Sequence, residues 1–225
     1  INTYGVKAVC FPCDLTDAAE RQKMLSYIRS NNISFSMLIN VAGLDYEGLF
    51  SDRSPEQIRT LIRLNIEANL EITAEVLKLR NRIKPFRIIN VASLAAYYSM
   101  PVKAMYAASK SFLLNFSMAL REELRPYGVT VTTLCPAGLP TTPECIKAIE
   151  CQGFAGRFTT KNVGYVAAKT IDHALKGHAV YIPGKLNQIL RLFSSFFPSI
   201  VITRLIGSRW QKAGERNLQK PEGII

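Results

Sequence analysis

The chain has 225 residues, nearly half of them apolar and a fifth charged, which suits one well-packed domain and is short for two. No apolar run reaches the ~18 residues that a membrane-spanning helix needs, and no N-terminal stretch has the order of a signal peptide, so a cytoplasmic protein is expected. The formal charge of +11 is spread along the chain and alternates with acids in "REELRP" and "ERQK", which argues against a nucleic-acid partner.

"GVKAVCFP" (5–12) reads as a short buried strand. Its "CFPC" matches a C-x-x-C spacing, but it closes an apolar strand, contains Pro12 and leads into an Asp-Leu-Thr-Asp turn instead of opening a helix, so a redox or metal role is not expected. A helix follows, with Thr16 or Asp17 as its cap and Glu20 available for a capping box. "FSMLINVAG" is a second apolar strand running into Gly43. A long helix is predicted over 54–82, with Ser54 as N-cap and Pro55 in its first turn. "FRIINVAS" is a third strand, and 105–125 a helix ended by Pro126 and Gly128. "VTVTTLCPAG" is a fourth strand, "NVGYVAAKTIDHALKG" another helix and "AVYIPG" a last strand.

Strands alternate with helices and are apolar throughout, as buried parallel strands are. The expected fold is therefore α/β, a doubly wound, Rossmann-like parallel sheet over residues 1–184, with a helical extension of the same domain over 185–225. Ligands of such sheets bind beyond the carboxyl ends of the strands. That rule draws attention to Asp14, to Asn40, Ala42 and Gly43, to Ser93, and to the stretch from Pro136 to Thr142.

Three Tyr residues have Lys four positions later: Tyr106/Lys110, Tyr165/Lys169 and Tyr181/Lys185. On a helix that spacing puts both side chains on one face, about 6 Å apart along the axis. Tyr181 and Lys185 straddle a turn. Tyr165 and Lys169 share a helix face but have no Ser or Thr at a strand end opposite. Tyr106 has Ser93 at a strand end thirteen positions upstream, with only a loop between. A Lys near a Tyr favours phenolate, and a Ser hydroxyl can hold a substrate oxygen beside the phenol. The trio fits proton transfer between an alcohol and a carbonyl, which also needs a hydride carrier.

"CDLTD", "NVAG", "LN" at 64–65, "INVAS", "YAASK" and "CPAGLPTT" together resemble the short-chain dehydrogenase/reductase family, in its order and at its spacings. The resemblance implies an NAD- or NADP-dependent oxidoreductase with Tyr106 as acid/base. Lys110 would tune Tyr106 and hold the nicotinamide ribose, Ser93 would orient the reacting oxygen, and Asn65 would anchor a proton-relaying water. It further implies cofactor contacts from Asp14 and Leu15, from Asn40, Ala42 and Gly43, and from Pro136, Ala137, Gly138 and Thr141, with Thr142 the alternative to Thr141. Val41 replaces the second Asn of the family's N-N-A-G, and Ala137 stands where that family places Gly.

The family's opening strand and Gly-rich phosphate turn have no counterpart here, so the chain reads as N-terminally truncated, and the residues that would separate NAD from NADP are not in it. The rival expectation is a non-catalytic relative that kept the sheet and lost the phosphate turn. From Lys185 onward seven basic residues face two acidic ones among many Phe, Ile and Leu. Two amphipathic helices are predicted there, separated at Pro198 and carrying Arg191, Arg204, Arg209 and Lys212. They read as a packing arm or as a peripheral membrane contact through 185–213. Similar tails in the family imply a bulky apolar substrate, steroid-like or acyl-like. The apolar run of 112–116 is read as core or as the contact of a homodimer.

Overall fold

The computed structural model describes residues 5–151 and 158–218. Four parallel strands form its sheet, in the order β1 (Met37–Asn40), β2 (Phe86–Val91), β3 (Val129–Leu134) and β4 (Val180–Tyr181). Parallel neighbours need crossovers, and helices supply each of them. Between β1 and β2 run α2 (Pro55–Ile62) and α3 (Ala68–Lys78), between β2 and β3 runs α4 (Ala104–Leu124), and between β3 and β4 run α5 (Pro143–Cys151) and α6 (Val163–Leu175).

Residues 5–12 do not form the strand expected of them. Val6, Val9 and Phe11 are exposed, and the backbone there joins no ladder. A strand persists only where a neighbour takes up its N–H and C=O groups, and no described strand lies beside this one. The free edge of β1 shows the same vacancy, with Ile39 and Val41 exposed.

Helix α1 (Ala18–Ser30) starts at Asp17, whose carboxylate accepts from the N–H groups of Ala19 and Glu20 at 2.7 and 3.3 Å. Glu20 makes no capping box; its carboxylate accepts from the Asp14 N–H instead, at 3.4 Å. The box forms on α2, between Ser54 and Gln57. Buried Arg21 ties α1 to the long helical run, reaching Glu67 and Glu71 and the Leu15 carbonyl.

The predicted helix over 54–82 spans 55–78 and is interrupted by a π-helical turn at Arg63–Glu67. Helix α5 has no counterpart among the elements read from sequence. Helices α7 (Lys185–Ser194) and α8 (Ser199–Leu218) lie on either side of Pro198. No helix among the described residues is long and apolar enough to cross a membrane.

The main core joins β2 and β3 to α3 and α4 through Val76, Phe86, Ile88, Leu120, Val129 and Val131. Ile88 has no solvent exposure. Ile88→Ala should therefore cost about 2–5 kcal/mol in urea unfolding, whereas Phe112→Ala, on the partly exposed face of α4, should cost about 1 kcal/mol or less.

Candidate active site

Asn40 pairs with Asn90, and Val91 with Leu134, so β1, β2 and β3 end along one edge of the sheet. The loops that leave that edge carry most of the residues singled out from sequence. Asn40 itself turns inward. Its amide donates to Asn90 Oδ1 at 2.8 Å and to Thr73 Oγ1 at 3.0 Å, and Asn90 donates to Ser117 Oγ at 2.8 Å. Its side chain is spent on cross-linking strands and helices, which leaves Ala42 and Gly43, both exposed, to face the crevice.

Asn65 sits in the π turn. The extra residue in that turn loosens the helical ladder and lets a side chain reach out of the helix, a feature common at functional sites. The Asn65 carboxamide is buried. It accepts from the Leu44 N–H at 2.8 Å and donates to the Leu44 carbonyl at 2.9 Å and to Ser109 Oγ at 3.0 Å. Ser109 passes the connection on by donating to the Tyr106 carbonyl at 2.8 Å. The loop after β1 is thereby fixed against α4.

Gly43 makes a close approach at that contact. A Cβ added to it would lie 3.0 Å from Lys110 Nζ and 3.6 Å from Asn65 Oδ1. The Lys110 ammonium is buried, donates to the Val91 carbonyl at 3.0 Å and lies 5.7 Å from the Tyr106 ring centroid. Burial lowers its pKa to about 8, against opposing pulls from Asp45 and Cys135.

Tyr106 has Ser93 as a polar neighbour. Burial pushes the phenol above its ordinary value, further helped by Asp45 and Cys145, and Ser93 and the Lys103 charge only partly offset it. The lowering by Lys110 that the spacing led us to expect is not among these influences; burial prevails, and the phenol holds its proton at neutral pH.

Ser93 is itself anchored. Its Oγ accepts from the Ala95 N–H at 3.1 Å, capping the short turn Leu94–Tyr97. The Cys135 thiol nearby has no solvent exposure, and burial pushes its pKa up to about 12. It stays protonated at neutral pH and is a poor nucleophile.

The loop after β3 closes the crevice. Pro136 is buried and accepts from the Leu94 N–H at 2.7 Å, so it sets the Ser93 turn from behind. Ala137 is half-buried. At Gly138 a Cβ would lie 2.9 Å from Ile149 Cγ1, which is how α5 folds back over the loop. Thr141 is exposed, with its N–H on the Leu139 carbonyl, and Thr142 caps α5 through the Cys145 N–H at 3.2 Å.

Asp14 and Leu15 stand apart from this cluster. The Asp14 carboxylate accepts both the N–H and the hydroxyl of Thr16 at 2.8 Å, bonds that hold its pKa down. It lines an open polar groove with Thr16, Asp17, Ala18, Arg63 and Glu67.

One neighbour escaped the sequence reading. Lys103 lies 5.9 Å from the Tyr106 ring centroid and pairs with Asp45 and, at 3.0 Å, with Glu47. Burial works against its charge, but the two carboxylates more than offset it and its pKa rises. A spacing of three residues before Tyr106 was the available signal. Val102 before it has φ +61°, a costly conformation for a β-branched residue, held by the Gly48 N–H on its carbonyl at 2.8 Å.

The family model described as short chain dehydrogenase matches residues 1–145. The chain belongs to the short-chain dehydrogenase family. It is similar to ketoacyl reductase HetN of Nostoc sp., 27% identical over 174 residues, which covers 77% of this chain and 61% of that protein. Among solved structures, a short-chain dehydrogenase/reductase from Serratia marcescens superposes with a TM-score of 0.68 at 21% identity, over 81% of this chain and 78% of that one. The angucycline C-6 ketoreductase LanV with bound NADP gives 0.66 at 18%, over 77% and 70%. These neighbours share the parallel α/β fold.

The buried Lys110 yields a prediction that needs no substrate. Its folded pKa lies below its ordinary 10.5, so the unfolded chain holds more protons between about pH 8 and 10.5 and stability rises with pH across that window. Tyr106, shifted upward, acts in the opposite sense only above about pH 10. Unfolding of wild type and Lys110→Met in urea should therefore diverge from about pH 8 to about pH 10, with wild type gaining stability relative to the variant.

Proposed function

We propose that this chain is the catalytic part of an NAD- or NADP-dependent oxidoreductase that interconverts a hydroxyl and a carbonyl on a hydrophobic, acyl- or steroid-like small molecule. The observation that carries the reading is the half-buried Tyr106 on α4, with the buried Lys110 ammonium 5.7 Å from its ring centroid and Ser93 as a polar neighbour. Family membership supports it, as do the ketoacyl reductase HetN among the relatives and the NADP-bound LanV among the structures that share the fold. The chain spans 61% of the length of HetN, so the complete activity is part of the proposal.

The residues present fit a nicotinamide ribose. Gly43 leaves bare backbone beside Lys110, and Lys110 Nζ has one acceptor among the described residues, the Val91 carbonyl, for its three protons. Ribose hydroxyls would occupy the remaining donors. Ala42, Gly43, Pro136, Ala137, Gly138 and Thr141 would line the rest of the nicotinamide side, while Asp14, Leu15 and Asn40 would act through the turns and strands they hold. The nicotinamide supplies or accepts the hydride.

In the reductive direction the protein's task is to bind a carbonyl and deliver a proton to its oxygen. Ser93 donates to that oxygen and keeps it beside Tyr106. The Tyr106 phenol, kept protonated by burial, is the acid. Lys110⁺, whose Nζ lies 5.7 Å from the ring centroid, would stabilise the phenolate left behind. Asn65 fixes the loop and α4, so these groups need no reorganisation, and any proton relay to Lys110 would run along its side of the crevice.

The reading includes a cytoplasmic location, association as a homodimer, with the partly exposed Phe112 available on α4, and peripheral membrane contact through 185–213. Tyr106→Phe should lower NAD(P)H-dependent reduction of a 3-oxoacyl thioester or hydrophobic ketone by about 10²–10⁴-fold while leaving dinucleotide binding, followed by fluorescence, unchanged. Retention of more than a tenth of the rate would remove Tyr106 from the acid/base role.

A further inference from the structure

Helix α7 is mounted inside out. Its polar residues at 187, 191 and 194 share one face, and that face meets the body of the protein. Asn187 is buried and donates to the carbonyls of Thr159 and Pro183 at 3.0 and 2.7 Å. The Arg191 guanidinium lies 4.8 Å from the Tyr97 ring centroid, and Ser194 Oγ donates to the Tyr98 hydroxyl at 3.3 Å.

The other face carries Leu186, Ile189, Leu190 and Phe193 at helical spacing, and all four are exposed. The turn into α8 adds Phe196, 76% exposed, and Phe197, and α8 continues the surface with Ile200, Val201 and Leu205. A monomer in water gains nothing by turning such a stripe outward, since each large apolar side chain forgoes about 1.5–3 kcal/mol of burial. Helix α8 is also firmly seated: a Cβ on Gly207 would lie 3.1 Å from Pro101 Cγ, so glycine there allows close approach. The outward stripe belongs to a docked arm.

Charge selects what covers it. From Lys185 to Gly214 the chain contains Lys185, Arg191, Arg204, Arg209 and Lys212 and no Asp or Glu. Lys185 and Arg204 are exposed beside the stripe, and Arg191 is the one turned inward; the side chains of Arg209 and Lys212 lie outside the described residues. A second copy of the same face would set cation against cation with no acid to pair them. An anionic bilayer supplies both an apolar layer and the opposite charge.

We infer that α7, the turn at 195–198 and the start of α8 form a bilayer-seated surface, in which Phe193, Phe196 and Phe197 enter the acyl boundary and Lys185 and Arg204 meet anionic headgroups. This rests on the membrane contact included in the reading above and gives it a face, a depth and a lipid class. It also reassigns Arg191, which the sequence grouped with the lipid-facing cations, to the seat on Tyr97. Tyr97 belongs to the turn that Ser93 caps, so the arm is fastened to the turn that carries Ser93.

The test is co-sedimentation with phosphatidylcholine vesicles, with and without phosphatidylserine, together with sedimentation velocity in the absence of lipid. Wild type should bind the mixed vesicles and bind phosphatidylcholine alone far more weakly. The double variant Phe193→Ser/Phe196→Ser should lose at least tenfold in partitioning, and Lys185→Gln/Arg204→Gln about fivefold per charge on the mixed vesicles only. Far-UV circular dichroism and melting temperature should be unchanged, because all four residues are exposed. Equal binding by the Phe variant would overturn the inference, as would a lipid-free dimer that the Phe variant dissolves. Tyr106→Phe should bind vesicles like wild type, so loss of turnover and loss of lipid binding report on different claims.

Discussion

The carboxamide of Asn65 holds the site together. Its buried oxygen and nitrogen take both backbone groups of Leu44, and the nitrogen also donates to Ser109 on α4. One side chain thereby satisfies a loop that would otherwise bury an unpaired N–H and C=O, a penalty of about 1–3 kcal/mol per group. Gly43 is pressed against Lys110 as a result, and Ser109 is fixed to the carbonyl of Tyr106. The π turn at Arg63–Glu67 is what allows this reach. A regular helix would keep the Asn65 backbone in the i→i−4 ladder and carry its side chain along a different face.

From that anchor the electrostatics follow in order. Burial makes Lys110 a weaker base and Tyr106 a weaker acid than either is in water. Both effects come from desolvation, which disfavours whichever form is charged. A phenol that keeps its proton and an ammonium close to giving its own up suit a site that donates a proton to a carbonyl and recovers it afterwards. Lys103, tied to Asp45 and Glu47, keeps a second cation over the same ring and closes the outer side. Val102 takes a costly positive φ immediately before it, a strain that the Gly48 bond and the surrounding loop sustain.

The arm beyond β4 connects to this centre through polar contacts. Arg191 lies over Tyr97, Ser194 reaches Tyr98, and both tyrosines belong to or border the turn that Ser93 caps. The apolar side of the same helix is left to the outside. A helix with its polar face inward is unusual for a water-surrounded domain.

The sequence by itself determined the order and type of most elements, because hydrophobic period and caps are local. Ser54 with Pro55, Gly128 and Asn162 mark helix ends that the structure repeats. It also determined the family and singled out Tyr106, Lys110 and Ser93, since an i,i+4 pair and a strand-end serine are local features. Tertiary structure decided the rest. Residues 5–12 have strand-like composition and no described partner to bond, and pairing is a non-local property. The directions of the Lys110 and Tyr106 pKa shifts depend on burial, which no spacing encodes. Asn40 spends its amide on Asn90 and Thr73, contacts 50 and 33 positions away. The side of α7 that faces the body was also undecidable from its amphipathic pattern. A stripe of Leu, Ile and Phe reads the same whether it meets a protein core or a lipid surface, and only packing against Tyr97 and Tyr98 turned it outward.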